Sequence, residues 1–186
     1  MSATSANRTL QMRPAGRDSA DAEAVQQLYL HAFPDNERVP LERFWDMQEI
    51  EKELCVFYDN DVFCGFAQTL TLQRLTHILY FAIEEQKRGG GLGSGALVLL
   101  LRMKPGNIFI ADIESLREGA DNYTQRRLRK QFYLYNGFAP TAIHYTWRKE
   151  EYEILSAGGS VTKNEFDGFW KYFHERERAA ARSRTT

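Results

Sequence analysis

Four of the five residues from Gly89 to Gly93 are glycine, and they stand between a strand-like run, Ile78–Ile83, and an apolar helical stretch that begins at Leu92. Glycine permits tight backbone paths and lets a ligand approach main-chain N–H groups closely. The helix that follows offers unpaired amides and the positive end of its dipole, a combination that favours phosphate. Arg88 adds a formal positive charge at the same end. Strand, glycine turn and helix together describe a diphosphate cradle. A ligand-free flexible loop is the bland alternative, and so dense a glycine cluster between two regular elements argues against it.

Two phosphate-binding patterns can be compared with this segment. A P-loop requires Gly-Lys-Ser/Thr, and Gly93-Ser94-Gly95 lacks the lysine. Gly91-Leu92-Gly93-Ser94-Gly95-Ala96 also reads as G-x-G-x-x-A, with Asp112 at a suitable distance for a dinucleotide site. That fingerprint opens a βαβ repeat, whereas here the glycines follow three consecutive strand-like runs, Leu54–Tyr58, Val62–Leu72 and His77–Glu84. Short turn segments, Asp59-Asn60-Asp61 and Gln73-Arg74, link these runs into an antiparallel meander.

The remaining periodicity completes one α+β domain. Thr9–Arg13 reads as a short strand. Ser19 is placed to cap a helix whose apolar positions run from Ala24 to Phe33, and Pro34 closes it. A short helix is expected around Phe44, Trp45 and Met47. The helix after the glycine turn ends at Pro105-Gly106, and Ile108–Glu114 is a mostly apolar, central strand. A basic helix, Tyr123–Tyr135, stops at Asn136-Gly137, and two strands follow, Phe138–Trp147 and Tyr152–Leu155. An amphipathic helix over Asn164–Arg178 carries Phe166, Trp170 and Phe173 on one stripe. Residues 1–8 are expected to be disordered, residues 9–178 to form the domain, and residues 179–186 to be a flexible tail. The expected fold is a single mixed, mostly antiparallel sheet of about seven strands flanked by helices.

Composition narrows the function classes. A formal net charge of -1 argues against bulk electrostatic binding of nucleic acid or membrane. The N-terminal residues lack a signal-peptide core, and the apolar run Ala96–Leu101 is too short to cross a bilayer, so a cytoplasmic protein is expected. Cys55 and Cys64 are expected to be core thiols, and no Cys or His cluster suggests a metal.

Arg88, Gly91 and Gly93, with Gly89 and Gly90 as spacers, resemble the R/Q-x-x-G-x-G/A acetyl-CoA signature of the GNAT superfamily of N-acetyltransferases. A second segment, Phe132-Tyr133-Leu134-Tyr135-Asn136-Gly137-Phe138, is similar to the family's F-Y-x-x-x-G-F ending and lies one strand and one helix later, in the family's order. Phe33-Pro34-Asp35-Asn36-Glu37-Arg38 and Asp112-Ile113-Glu114 resemble F-P-x-x-E-R and D-I-E segments of one bacterial branch. The likeness covers about Thr9 to Glu177.

The resemblance implies acetyl-CoA as donor, with no metal. The donor's pantetheine arm would pair with Phe81, Ala82 and Ile83 in a V between the Ile78–Ile83 and Ile108–Glu114 strands. Its diphosphate would lie on Arg88, Gly89, Gly90, Gly91, Leu92, Gly93 and Ser94. A main-chain N–H near Ile83 would polarise the thioester, and Tyr133 would protonate the departing thiolate. The acceptor would be a primary amine attacking directly in a ternary complex. A non-catalytic acyl-CoA-binding module is the alternative. Many relatives carry an asparagine seven residues before the tyrosine, where this chain has Arg126; Asn122, one turn earlier, is the substitute CoA contact. No nucleic acid or membrane partner is implied, and the chain is expected to be a monomer or homodimer.

The base that deprotonates the amine is open on the residues alone. Glu114, Asp112, Glu84, Glu85 and His77 are candidates, and Glu114 ranks first because it ends a strand where such sheets open their ligand crevice. A solvated carboxylate or an arginine partner is the equal alternative, and relatives also use water. His77 is expected to be exposed at the start of its strand, and His144 to lie on a sheet face. By resemblance, Phe33, Phe44, Trp45, Tyr145 and Trp147 lie near the acceptor pocket; core packing explains them equally well.

Overall fold

In a computed structural model of the chain, residues 9–16, 18–40 and 51–183 are described. Strand β1, Leu10–Ala15, is followed by helix α1, Ala22–Ala32, and by strands β2, Glu51–Asp59, β3, Val62–Leu72, and β4, Leu75–Ile83. Helix α2, Leu92–Arg102, strand β5, Ile108–Glu114, and helix α3, Tyr123–Tyr135, come next. Strands β6, Ala139–Trp147, and β7, Glu150–Ala157, precede helix α4, Lys163–Ser183. The expected helix around Phe44, Trp45 and Met47 and the segment 1–8 lie outside the described residues.

The strands form one seven-stranded mixed sheet in the order β1-β2-β3-β4-β5-β7-β6. Asn60 and Asp61 take positive φ of 49° and 64°, the conformation that a two-residue hairpin turn with the right twist demands, and they join β2 to β3. The pair β4–β5 is parallel from Leu75↔Ile108 to Ile78↔Ala111, with α2 as the connection. The pairs β1–β2, β5–β7 and β6–β7 are antiparallel.

The described residues cluster into two compact units, and β3 and β4 run through both. One unit holds the residues up to Arg38 together with Glu53–Gln68 and Tyr80–Met103. Tyr29 of α1 meets Phe66 edge-on, and Val25 and Leu28 of α1 and Leu92, Ala96, Leu97 and Leu100 of α2 are buried there. The other unit holds Thr69–Leu79 and the chain from Lys104 onward, with Val39, Pro40, Glu51 and Lys52. Ile110, Ile113, Ile154, Leu155, Phe166, Phe169 and Phe173 are buried in it.

Two local outcomes differ from expectation. Asp21, in helical conformation, precedes α1 without a side-chain cap, and the Ser19 hydroxyl is buried with no hydrogen-bond partner. Helix α4 runs five residues past Arg178, since Ala179, Ala180 and Ala181 are strong helix formers that a polar tail reading undervalues. Its first turn is fixed by a reciprocal cap. The Glu165 N–H donates to the Thr162 hydroxyl at 3.2 Å, and the Thr162 N–H donates to the Glu165 carboxylate at 2.8 Å.

Candidate functional site

The glycine turn is built from the end of β4. Opposite Ala82 and Ile83 stands Gly65 of β3, where a β-carbon would overlap the Ala82 carbonyl and the Ile83 side chain. That close approach needs glycine, and the Glu84 N–H then donates to the Cys64 carbonyl at 2.9 Å. A short 3₁₀ turn, Glu85–Lys87, follows. The Arg88 Nε–H turns back to the Ile83 carbonyl at 3.0 Å, so this side chain buttresses the turn.

Gly89 and Gly91 adopt φ of 82° and 79°, where a side chain is strained, and their surroundings are open, with no atom within 4 Å of a β-carbon built on either. Gly91 precedes α2 directly, with no side-chain cap, and the first helical bond runs from the Gly95 N–H to the Gly91 carbonyl at 3.0 Å. The amides of Leu92, Gly93 and Ser94 therefore stand ahead of the helical ladder. Gly89, Gly90 and Gly91 are exposed, while Leu92 is buried and anchors the turn. Phe81 is half-buried against Phe57, with ring centres 6.0 Å apart, and Ala82 and Ile83 are buried.

The other predicted residues meet on the face that β5 and α3 share. Alternation puts Ile108, Ile110, Asp112 and Glu114 on one side of β5. Glu114 is 4% exposed, and both of its carboxylate oxygens are engaged. Oε1 accepts from Asn122 Nδ2 at 3.0 Å and pairs with Arg126 at 3.0 Å; Oε2 accepts from Arg129 at 2.9 Å. Arg126, 5% exposed, donates further to the Asn122 side-chain oxygen at 2.6 Å, the Ser115 carbonyl at 3.1 Å and Glu150 at 3.1 Å. The residues expected to act as base and as CoA contacts are thus bonded to one another. Buried arginine donors already used inside the protein are not offered to a ligand.

Tyr133 is 7% exposed on α3. Gly137, at φ 86°, ends the helix, the Phe138 N–H donates to the Tyr133 carbonyl at 3.1 Å, and the Phe138 ring returns to 5.1 Å from the Tyr133 ring. That is the local reason for a tyrosine, a glycine and a phenylalanine at this spacing: a left-handed helix end folds the phenylalanine back onto the tyrosine. The Tyr133 hydroxyl has no hydrogen bond among the described residues. Burial pushes its phenol well above the usual value, Arg129 opposes the shift, and the charge of Asp112 adds to it.

Next to Glu114 on the same face, Asp112 has a partner for each oxygen. His77 Nε2 lies 2.9 Å from Oδ1, and the Tyr145 hydroxyl donates to Oδ2. Burial raises the Asp112 carboxyl, but the charge and hydrogen bond of His77 and the bond from Tyr145 outweigh it and leave it below the usual range. His77 is fully buried, edge-on to Phe166, Phe169 and Trp170 at ring distances of 6.4, 6.0 and 5.3 Å, not exposed as expected. Its Nδ1 has no hydrogen-bond partner among the described residues. The sequence carried a usable signal, because His77 shares its strand face with Leu75 and Leu79 in an apolar run. His144 is half-exposed and 3.3 Å from Glu151. Phe33 packs on Tyr29 and Tyr80, Trp147 lies beside Tyr152, and Phe44 and Trp45 fall outside the described residues.

Both cysteines are buried thiols outside any disulfide, as expected. Among the described residues no group of three or more His, Cys, Asp or Glu is arranged to hold a metal, and no helix is long and apolar enough to cross a membrane.

No protein-family model and no curated protein sequence matches the chain. Solved structures do. A protein from Bacteroides thetaiotaomicron assigned to the GNAT family of acetyltransferases superposes with a TM-score of 0.71 at 19% identity, over 88% of this chain and 96% of the other. The ribosomal-protein-S18-alanine N-acetyltransferase of Escherichia coli matches with a TM-score of 0.55 at 19% identity, over 83% and 96% of the two chains. A GNAT-family acetyltransferase from Elizabethkingia anophelis, solved with acetyl-CoA bound, matches with a TM-score of 0.53 at 15% identity, over 80% and 97%. The seven-stranded mixed sheet and its helices are therefore the acyl-CoA N-acyltransferase fold of the GNAT proteins.

Proposed function

We propose that the chain transfers the acetyl group of acetyl-CoA to a primary amine of a small molecule or peptide by direct attack in a ternary complex. The observation that carries this function is the exposed glycine turn with uncapped amides at the head of α2, in a fold whose matched structures include one with acetyl-CoA bound. In this assignment the amides of Gly89 to Ser94 take the diphosphate, with Arg88 holding the turn in shape. The ladder between β4 and β5 stops at Ile78↔Ala111. The end of β4, Phe81 to Ile83, then offers main-chain groups to an extended pantetheine arm, and an amide near Ile83 polarises the thioester carbonyl.

Tyr133 is assigned the proton delivered to the sulfur. Its raised pKa does not disqualify it. A surrounding that disfavours phenolate also disfavours thiolate, so both groups shift in the same direction. Glu114 is left out of proton transfer, because Asn122, Arg126 and Arg129 already occupy both of its carboxylate oxygens. The amine then loses its proton to water. The protein is placed in the cytoplasm and works without a metal.

One observation favours a second function, acyl-CoA binding without catalysis: Glu114, Asn122 and Arg126 are used in bonds to one another. The two are separated by following free CoA thiol from acetyl-CoA with a panel of amino acids, polyamines, aminoglycosides and peptide N-termini. Amine-dependent release that Tyr133→Phe abolishes is expected. Acetyl-CoA binding with no release by any amine would leave the binding module.

A further inference from the structure

We propose that Asp112 is the anionic end of an acceptor subsite for a second positive charge, so that the amine substrate is a diamine, a polyamine or a peptide with a further cationic group. The substrate class rests on the acyl-transfer function proposed above; the cation site itself does not.

Asp112 is supported by its fold without meeting arginine or lysine among the described residues. Glu114, Glu150, Glu153 and Glu165 each pair with one or the other. The side-chain partners of Asp112 are His77 Nε2, 2.9 Å from Oδ1, and the Tyr145 hydroxyl, which donates to Oδ2. An ionised carboxylate has about four lone-pair positions, so each oxygen can accept again. The two members of the His77–Asp112 pair also differ in access. The imidazole is fully buried against Phe166, Phe169 and Trp170, while the carboxylate is 20% exposed. A ligand arriving from outside therefore meets the anion and not the imidazole.

The neighbouring rings suit a cation. Tyr145 of β6 reaches across β7 to Asp112 of β5. Its ring stacks on Tyr152 at 5.3 Å and 17°, and Trp147 lies 6.4 Å from Tyr152. Aromatic faces attract cations through the ring quadrupole. At the Trp147 end of this row the chain supplies the cation itself, with the Arg148 guanidinium 4.4 Å over the ring. At the Tyr145 end the row meets a carboxylate.

Charge decides which nitrogen of the acceptor binds there. An anion beside an ammonium keeps the proton on it, whereas the attacking nitrogen must be neutral. The nitrogen held by Asp112 is thus not the nucleophile, and Asp112 is not the base. Asp112 directly follows Ala111, the last residue of β5 paired with β4, and the proposed function puts the donor beyond that pair. An acceptor held at Asp112 by one charged nitrogen would present a second, uncharged one to the acetyl group.

The test compares butane-1,4-diamine with butylamine and butane-1,4-diol on the full chain. Without acetyl-CoA, the diamine should shift the ring resonances of isotope-labelled Tyr145, assigned through Tyr145→Phe, in a saturable way, and the diol should not. Asp112→Asn should weaken that binding about tenfold, the loss of a hydrogen bond to a charged group. The comparison of diamine with diol needs no substitution at Asp112, so it holds the proposal to account if that variant fails to fold. With acetyl-CoA, kcat/KM should favour the diamine over butylamine, and Asp112→Asn should reduce that preference about tenfold. Equal shifts from the diol, or a diamine affinity and preference unmoved by Asp112→Asn, would overturn the subsite. Diamine binding that depends on Asp112, in a chain that releases no CoA with any amine, would count against the acyl-transfer function alone. Amine-dependent release with no preference for the diamine would count against the subsite alone.

Discussion

The glycine turn and the β5–α3 face handle polar groups in opposite ways. At the turn, amides stand ahead of a helix, Gly89 to Gly91 are exposed, and nothing crowds Gly89 or Gly91. On the β5–α3 face, buried Glu114 and Arg126 and half-buried Asn122, Glu150 and Arg129 bond to one another. A group that binds a ligand must be left incomplete by its own fold, and a group that holds the fold must not be. The first region is therefore the place to look for recognition. The second is the place to look for rigidity, and the Tyr133 hydroxyl on that face makes no hydrogen bond among the described residues.

The contrast yields graded predictions. The largest effect belongs to Tyr133→Phe. Loss of a positioned proton donor should cut turnover by about 10²–10⁴-fold and leave acetyl-CoA affinity unchanged, as separated by steady-state rates and calorimetry. Equal turnover would remove Tyr133 from the chemistry and make the whole face structural. Next is Arg126→Met, which leaves buried Glu114 with Arg129 and Asn122 and takes a partner from half-buried Glu150. It should lower the unfolding free energy in urea by about 1–3 kcal/mol, and adding Glu114→Gln should recover part of that loss. A loss within error of zero would mean that the ion cluster does not hold α3 to the sheet.

Gly91→Ala should act in the opposite region. Forcing a β-carbon to φ 79° costs about 1–2 kcal/mol, which weakens acetyl-CoA binding about tenfold if the turn must keep its shape. Affinity unchanged by Gly91→Ala would detach the turn from recognition. The smallest effect lies far from both regions. Hydrogen bonds from Arg74 and Thr162 hold the Glu165 carboxyl near about 2, against an ordinary 4.5. Its contribution to stability is complete above pH 4.5 and is lost as pH falls toward 2. Glu165→Gln should flatten the dependence of Tm on pH in that window; an unaltered slope would show that the cap of α4 does not titrate there.

What the residues disclosed follows the same division. Backbone-dictated features could be read directly: the glycines at positive φ, the Asn60-Asp61 turn, Gly137 ending α3, and alternation along β5. Their cause is local, so it is written in a few adjacent residues. The partners of Glu114 come from α3 and from Asn122 just before it, and those of Asp112 from β4 and β6. Such pairings depend on which elements meet, and no single stretch records that. His77 shows the boundary. Its apolar neighbours announce burial, but that it would meet Asp112 follows only from β4 pairing in parallel with β5. Gly65 is similar, since the need for glycine there arises from Ala82 and Ile83 on the next strand.

The account stands on whether the glycine turn receives a CoA diphosphate, and titration calorimetry of acetyl-CoA into the full chain at high micromolar concentration asks that without needing the acceptor. Saturable binding of one acetyl-CoA per chain, weakened by Gly91→Ala and indifferent to Tyr133→Phe, is the expected result. No heat of binding at that concentration, in protein shown to be folded, would contradict it.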